Sequence, residues 1–566
     1  MKKLNRNRSS TAAAALGLAL CLLFTNLMNP QAAQIATVSD FSDVPKTHWA
    51  YADIQALRNL QVTQGIGDNL FGLGKTITRA EFITFLAKLF NWEASGKGEA
   101  WYSPFIAAGV KNGAITPEEE GSFRPNDPIT REEMAVILVR SMGYGSLAQQ
   151  LDVLPAPFLD VAQNIGCISM AKDFGIIYGV TPTSFAPSQT ATREQAAAMM
   201  VRLYNKQASA SLSGTSSYWK NISGYYAISS SSQSSLIPSM DTISFGWCRI
   251  EWKDGVHLNF NSSDGNDYHR PSGFEQVLAS VKAQGKRTLL MVSVEGKLVT
   301  ASGGESGSSG DMPLSAYLLS RDSFRIQMVQ QISSAAQDYG GVLIDFENMK
   351  GEQAKNDLNV FLTQLKAALA PQSNYLAVTV QPARLPGEAY FDAYDFKGIG
   401  DIADQIVLMA HDYAPKSLSD AEMKSGFMTT PLTPINEIYY ALKAITDPES
   451  GVSDPSKISF QISFASTQWK ALNGEIINKT PFTPAYDAIY ARIAQGVTPE
   501  YSSKYENPYL LFTNEEDGTE NMVWYENSRS VSAKLKLAAL FGISNVSLWR
   551  LGTIPQDVIP LFAFRQ

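Results

Sequence analysis

Cysteine and histidine are scarce: the 566 residues hold 3 Cys and 4 His. Cys21 falls inside an apolar stretch near the amino terminus, and Leu20 before it departs from a lipoprotein signal. Cys167 and Cys248 remain, in different domains, so no disulfide framework is implied. His48, His257, His269 and His411 are scattered without ligand spacing, which argues against a metal site, and nothing implies another cofactor. A Gly-rich phosphate loop is lacking as well. Beyond residues 1–33, no apolar run is long enough to span a bilayer. Positive charge is in deficit: losing Lys2, Lys3, Arg6 and Arg8 with a leader takes the formal charge from −8 to −12. Such acidity argues against a nucleic-acid or anionic-lipid surface, and leaves basic residues to act locally.

Residues 1–33 have a basic start, an apolar stretch from Ala12 to Phe24 and small residues at Ala32 and Ala33, the pattern of a secretory signal peptide. Three later segments repeat: Ile77-Thr-Arg-Ala-Glu81, Ile129-Thr-Arg-Glu-Glu133 and Ala191-Thr-Arg-Glu-Gln195, with threonines 52 and then 62 residues apart. A Phe-bearing turn precedes each (Phe71, Phe123, Phe185) and an apolar helix is expected after each. Thr-x-x-Glu/Gln is a capping box, but capping does not require an Arg at the same place three times. Free N–H groups at a helix start beside a guanidinium make an anion site.

With Phe41-Ser-Asp-Val44 and His48-Trp49-Ala50, the repeats resemble S-layer homology modules, expected over 38–95, 98–145 and 155–205. The resemblance implies docking onto anionic secondary cell-wall polysaccharide, with Arg79, Arg131 and Arg193 reading its carboxylates. The third repeat departs most, since Phe158-Leu-Asp-Val161 lacks the following His-Trp. Residues 206–217, rich in Ser and Ala, read as a flexible linker to a second domain at 218–566.

In that domain, Tyr339-Gly-Gly-Val-Leu-Ile-Asp-Phe-Glu-Asn348 is an apolar run ending in two acids. If Val342–Ile344 is a strand, Asp345 and Glu347 share one face and Phe346 takes the other. Neighbouring carboxyls resist double ionisation, so one keeps a proton near neutral pH and can serve as a general acid. A solvated strand end gives the same pattern; the surrounding motifs separate the two readings.

Gly340-Gly-Val-Leu-Ile-Asp-Phe-Glu347 resembles the active-site strand of family-18 glycoside hydrolases, Asp-Gly-x-Asp-x-Asp-x-Glu, with Gly340 and Leu343 in place of the first two acids. In that family the sugar's acetamido oxygen attacks its own anomeric carbon. By resemblance, Asp345 orients the acetamido group and Glu347 protonates the leaving oxygen. Gln405-Ile-Val-Leu-Met-Ala-His-Asp-Tyr413 is similar to the family's sixth barrel strand: Met409 and Asp412 match, and His411 replaces a Tyr that donates to the acetamido oxygen. A buried histidine bonded to backbone is the other reading of His411. Val546-Ser-Leu-Trp-Arg-Leu-Gly552 resembles the eighth strand, whose Trp, here Trp549, floors a sugar subsite; core packing is its alternative. The segment from Asn521 through Trp524-Tyr525-Glu526 resembles the spore-cortex branch of the family, with Asp517-Gly518 turning a hairpin and Trp524 placed to line the cleft or to pack beneath it.

Further strands are expected at Thr242–Trp247, Thr288–Val294, Tyr375–Val380 and Ile458–Phe464, alternating with helices. The fold class is therefore multidomain: α-helical repeats followed by an α/β (β/α)8 TIM barrel. A Ser-rich stretch, Ser229–Ser235, reads as an irregular barrel entry, and the Gly/Ser segment Ala301–Gly310 as a tolerated insertion or a lid. The resemblances imply a secreted hydrolase attached to the bacterial wall, cleaving N-acetylglucosamine-containing polymer, peptidoglycan or chitin. The substrate-binding set would be Met409, His411, Asp412, Tyr413, Trp524 and Trp549. A catalytically silent glycan-binding barrel is the alternative, motivated by Gly340, Leu343 and His411.

Overall fold

A computed structural model describes residues 40–94, 100–210, 218–227, 229–300, 311–427 and 430–562. The expected leader at 1–33, the 301–310 segment and residues 211–217 of the expected linker lie outside the described residues.

Each Thr-Arg repeat opens a helix: Arg79–Leu89, Arg131–Ser141 and Arg193–Ser209. Thr78, Thr130 and Thr192 cap them, each reciprocated by the third helical residue, Glu81, Glu133 or Gln195. Short antiparallel bridges (Thr78 with Pro128, Thr130 with Thr190, Thr76 with Thr192) join the first repeat to the second, the second to the third and the third to the first. The repeats therefore close into a ring. The last helix runs through Ser209, so Lys206–Ser209 are helical where a linker was expected.

The second domain is a closed barrel of eight parallel strands: β1 (Asn221–Tyr226), β2 (Thr242–Trp252), β3 (Arg287–Val294), β4 (Gly341–Asp345), β5 (Tyr375–Val380), β6 (Gln405–Leu408), β7 (Ile458–Ser463) and β8 (Asn545–Trp549). Strand β1 pairs with both β8 and β2, which closes it. Side-chain alternation sorts the two faces of each strand. Tyr225, Leu289, Met291, Leu343, Ala377 and Val407 fill the barrel interior. Val342, Ile344 and Phe346 belong to the outer core, where Phe346 stacks on Phe361 of the helix Glu352–Leu369 at 5.5 Å. Gly341 is required by a close approach: a Cβ there would meet the Tyr375 carbonyl oxygen at 2.1 Å.

Between β7 and the helix Ser528–Leu540 stands an antiparallel sheet of five strands, including the hairpin Asn507–Thr513 and Glu520–Trp524. Two departures from the sequence reading concern length. Strand β2 runs on to Trp252 because it gains an antiparallel partner, Val256–Asn259. Strand β6 stops at Leu408, and the chain turns away through Asp412, whose φ is +63°. His411 to Tyr413 therefore lie in the loop at the mouth, beyond the strand.

Candidate active site

Asp345 is the last residue of β4 and is buried, and Glu347 follows on the same face. Asp345 cannot share its proton with a deeper acid, because the inward residue below it is Leu343, set in the apolar barrel floor. Its one short partner is Thr379 of β5, whose hydroxyl donates to Oδ1 at 2.6 Å. Burial, and then the Glu347 carboxylate, push the Asp345 pKa up to about 7 against the opposing pull of Thr379 and His411. Glu347 reaches into the open mouth, where its side chain meets solvent while protein surrounds most of it. Burial raises its pKa, Asp412 adds to the rise, and His411 and Lys416 oppose it. The two carboxyls are therefore coupled, and both are biased toward keeping a proton.

The loop bearing Glu347 is pinned from behind. The Tyr394 hydroxyl donates to the Phe346 carbonyl at 2.8 Å and to Gln381 Oε1 at 3.0 Å, and the Asn348 N–H donates to the same Gln381 oxygen at 2.7 Å. In front lies a cleft with ≈ 580 Å³ of empty space, lined by Glu347, Met409, His411, Asp412, Tyr413 and Tyr390, among others. Five of the residues singled out in the sequence thus meet around one cavity.

His411 differs from the expected acetamido donor. Its Nε2 lies 2.6 Å from Gln461 Oε1 of β7, and its Nδ1 lies 3.0 Å from Asp412 Oδ2. Nε2 is thus engaged by Gln461, while Nδ1 lies close to the Asp412 carboxylate without an aligned hydrogen bond. Burial alone would lower its pKa, but Asp412, Gln461 and Glu347 outweigh burial and raise it. His411 is thus biased toward its protonated form beside the carboxyl pair. Asp412 is pulled the opposite way: burial works upward, but His411 and Lys416 carry its pKa down. Among the described residues the Tyr413 hydroxyl has no hydrogen-bond partner, and its ring packs under Arg384 at 4.8 Å.

Trp549 ends β8 partly exposed, edge-on to Tyr225 at 5.0 Å, and a cis peptide bond follows it. Trp524 corrects the sequence reading. It is buried in the inserted sheet, its ring against Tyr509 at 4.9 Å and Tyr505 at 6.0 Å, and it is not among the residues lining the cleft beside Glu347. A strand-end aromatic does not announce its face, and here a neighbouring strand covers it. Sequence reasoning missed Thr379, Gln381 and Gln461, although all lie in or just past strands it placed; polar residues interrupting apolar runs at strand ends were the available signal. Tyr268, whose pKa is raised by burial and then by Asp345 and Glu347, comes from a loop with no periodic signal at all.

In the repeats, the three arginines are buried, which corrects the picture of guanidinium groups open to an anion. Each reaches toward a neighbouring repeat. Arg79 pairs with the capping-box acid Glu133 at 2.5 Å, and Arg193 with the capping-box acid Glu81 at 2.6 Å. The third repeat offers Gln195 where the others offer Glu, and Arg131 instead donates to the carbonyls of Phe185 and Tyr178 at 2.8 and 2.7 Å. The repeated Phe turns have a matching role: Arg131 lies over Phe185 at 4.7 Å and Arg193 over Phe71 at 5.3 Å. Arg79 also borders a groove that all three repeats line, together with Glu119, Arg124 and Arg140 of the second and Asn164 and Ser188 of the third.

Residues 221–553 match the family model for glycosyl hydrolases family 18, and residues 40–83, 95–135 and 157–197 each match the S-layer homology domain. The exoglucanase XynX of Acetivibrio thermocellus is 33% identical over 180 residues, which is 29% of this chain and 16% of the relative. The cortical fragment-lytic enzyme of Bacillus anthracis is 24% identical over 254 residues, 43% of this chain and 54% of the relative. The chain thus covers less than two thirds of either curated relative. The spore cortex-lytic enzyme SleL of Bacillus cereus aligns over 60% of this chain and 73% of its own, at 18% identity and a TM-score of 0.47.

Proposed function

Because the chain belongs to glycosyl hydrolases family 18 and carries three S-layer homology domains ahead of its barrel, we propose that it is a glycoside hydrolase held at the bacterial cell wall. Its substrate is a β-linked polymer containing N-acetylglucosamine, and the relative that lyses cortical fragments favours a wall glycan over chitin. The observation that carries the reading is the Asp345–Glu347 pair, on one face of a barrel-strand end, with both pKa values raised and an open cleft in front.

The reaction would run by substrate assistance. The acetamido carbonyl oxygen bonds to the anomeric carbon as the glycosidic C–O bond breaks, and Glu347 gives its proton to the departing oxygen. Asp345, ionised at that moment and hydrogen-bonded by Thr379, accepts the N–H of the positively charged ring so formed. Water then adds to the anomeric carbon as its bond to the acetamido oxygen breaks and the neutral acetamido group is restored, Glu347 takes a proton from the water, and the configuration is retained. His411 acts as a positioning residue beside the carboxyls, and Trp549 offers a flat apolar face to the sugar. In this reading the S-layer homology repeats hold an anionic wall polysaccharide in the groove that Arg79 borders, while the buried Arg131 and Arg193 shape the ring of repeats.

Purified chain incubated with peptidoglycan and, separately, with chitin oligomers tests the substrate through the masses of the products. Release of reducing-end N-acetylglucosamine from peptidoglycan supports the reading. A barrel that binds either glycan without cutting it would favour the silent reading, which Leu343 in the floor below Asp345 motivates. Sedimentation of the full chain with walls, before and after the anionic polymer is stripped, tests the anchor.

A further inference from the structure

Among the described residues, three contacts between the repeats and the barrel stand out. At the first, the Asp173 carboxylate, ending the helix Ile165–Asp173 of the third repeat, accepts from the Tyr439 hydroxyl and from Lys443 Nζ, both at 2.6 Å. Both partners stand on the barrel helix Ile435–Ile445. Beside them, Phe174 meets Tyr439 at 6.3 Å and Phe541 at 5.4 Å, edge to face, and all three rings are buried. At the second contact, Lys536 of the helix Ser528–Leu540 donates to the Met142 carbonyl and lies 5.7 Å from the Tyr144 ring. At the third, Gln150 Nε2 donates to the Lys504 carbonyl of the inserted sheet at 2.9 Å.

We propose that the barrel face carrying Tyr439, Lys443 and Phe541 is a receptor for the acidic-aromatic pair Asp173-Phe174, and that the anchor repeats and the catalytic mouth move as one rigid body. The physical reasons are cumulative. Separation would return Phe174 and Tyr439, two fully buried rings, to water. A largely buried carboxylate bonded to both a phenol and an ammonium exchanges two charge-assisted hydrogen bonds for water if the interface opens. Three contacts that draw on a helix on either side of β7 and on the inserted sheet resist rotation about any single hinge. The consequence is geometric: the direction in which the mouth faces relative to the wall-binding repeats is set by packing and not by a tether. The inference does not depend on the reaction, so it stands or falls apart from the catalytic reading.

Pulsed dipolar spectroscopy on the full chain tests it, with nitroxides at two exposed positions, Leu159→Cys in the third repeat and Leu511→Cys in the inserted sheet. The native Cys167 and Cys248 are buried. Wild-type contacts should give one narrow distance peak, and Asp173→Ala with Lys443→Ala should broaden it measurably, the aromatic, Lys536 and Gln150 contacts remaining. Should the double variant fail to fold, Tyr439→Phe removes a single hydroxyl and should broaden the same peak less. A broad distribution with the contacts intact, or an unchanged peak in the folded variant, would overturn the proposal.

Discussion

Replacing Asp345 by Asn should make the barrel more stable at alkaline pH and leave it unchanged at acid pH. An aspartyl group in an unfolded chain titrates near ~3.9, whereas burial and Glu347 push the folded group up to about 7. The sign follows from proton linkage. A folded pKa above the unfolded one means that Asp345's contribution is whole below about pH 4 and is lost as pH rises through 7. Asn keeps the acceptor for the Thr379 hydroxyl and has nothing to ionise. A rise of about three units corresponds to at most about 4 kcal/mol at pH 8, a ceiling because Glu347 shares the proton. For a domain of this size, a part of that should appear as a melting temperature a few degrees above wild type. Calorimetry of both proteins from pH 4 to pH 8 reads the difference directly. A gap that stays constant with pH, or that turns against Asn at pH 8, would refute the account of Asp345 as a carboxyl strained by burial.

Two other substitutions probe the neighbouring charges. His411→Gln removes an imidazole whose charged form lowers both carboxyl pKa values while keeping a donor for Gln461, so the carboxyls should ionise later and the upper limb of the pH–rate profile should move to higher pH; an unmoved limb would separate His411 from the pair. Gln195→Glu should give Arg131 the carboxylate that Arg79 and Arg193 already have, raising the stability of the repeats by about 1 kcal/mol in thermal denaturation of the full chain. No gain would mean that Gln195 does not occupy the equivalent place in the ring.

The parts legible in the sequence were those governed by short-range geometry. Alternation put Asp345 and Glu347 on one face and Phe346 on the other, which is how the structure has them. Capping boxes marked the starts of three helices for the same reason: donor and acceptor are three residues apart. What escaped depends on partners distant in the chain. Nothing local to Arg193 reveals that its carboxylate is Glu81, 112 residues away, or that His411 spends a nitrogen on Gln461, 50 residues on. Trp524 was ambiguous because an indole satisfies a sugar face and an aromatic core alike, and only the neighbouring strand decides. Asp173 gave no signal either, since the residues that make it an interface lie in another domain.

The central claim is that Glu347 delivers the proton to the leaving oxygen, and Glu347→Gln tests it most directly. Gln keeps the shape and volume of the side chain at the mouth but carries no transferable proton, and general acid catalysis contributes roughly 10²–10⁴-fold. With peptidoglycan as substrate, the account predicts that product release falls by about that factor while glycan binding and melting temperature stay near wild type. Equal turnover by the two proteins would contradict it.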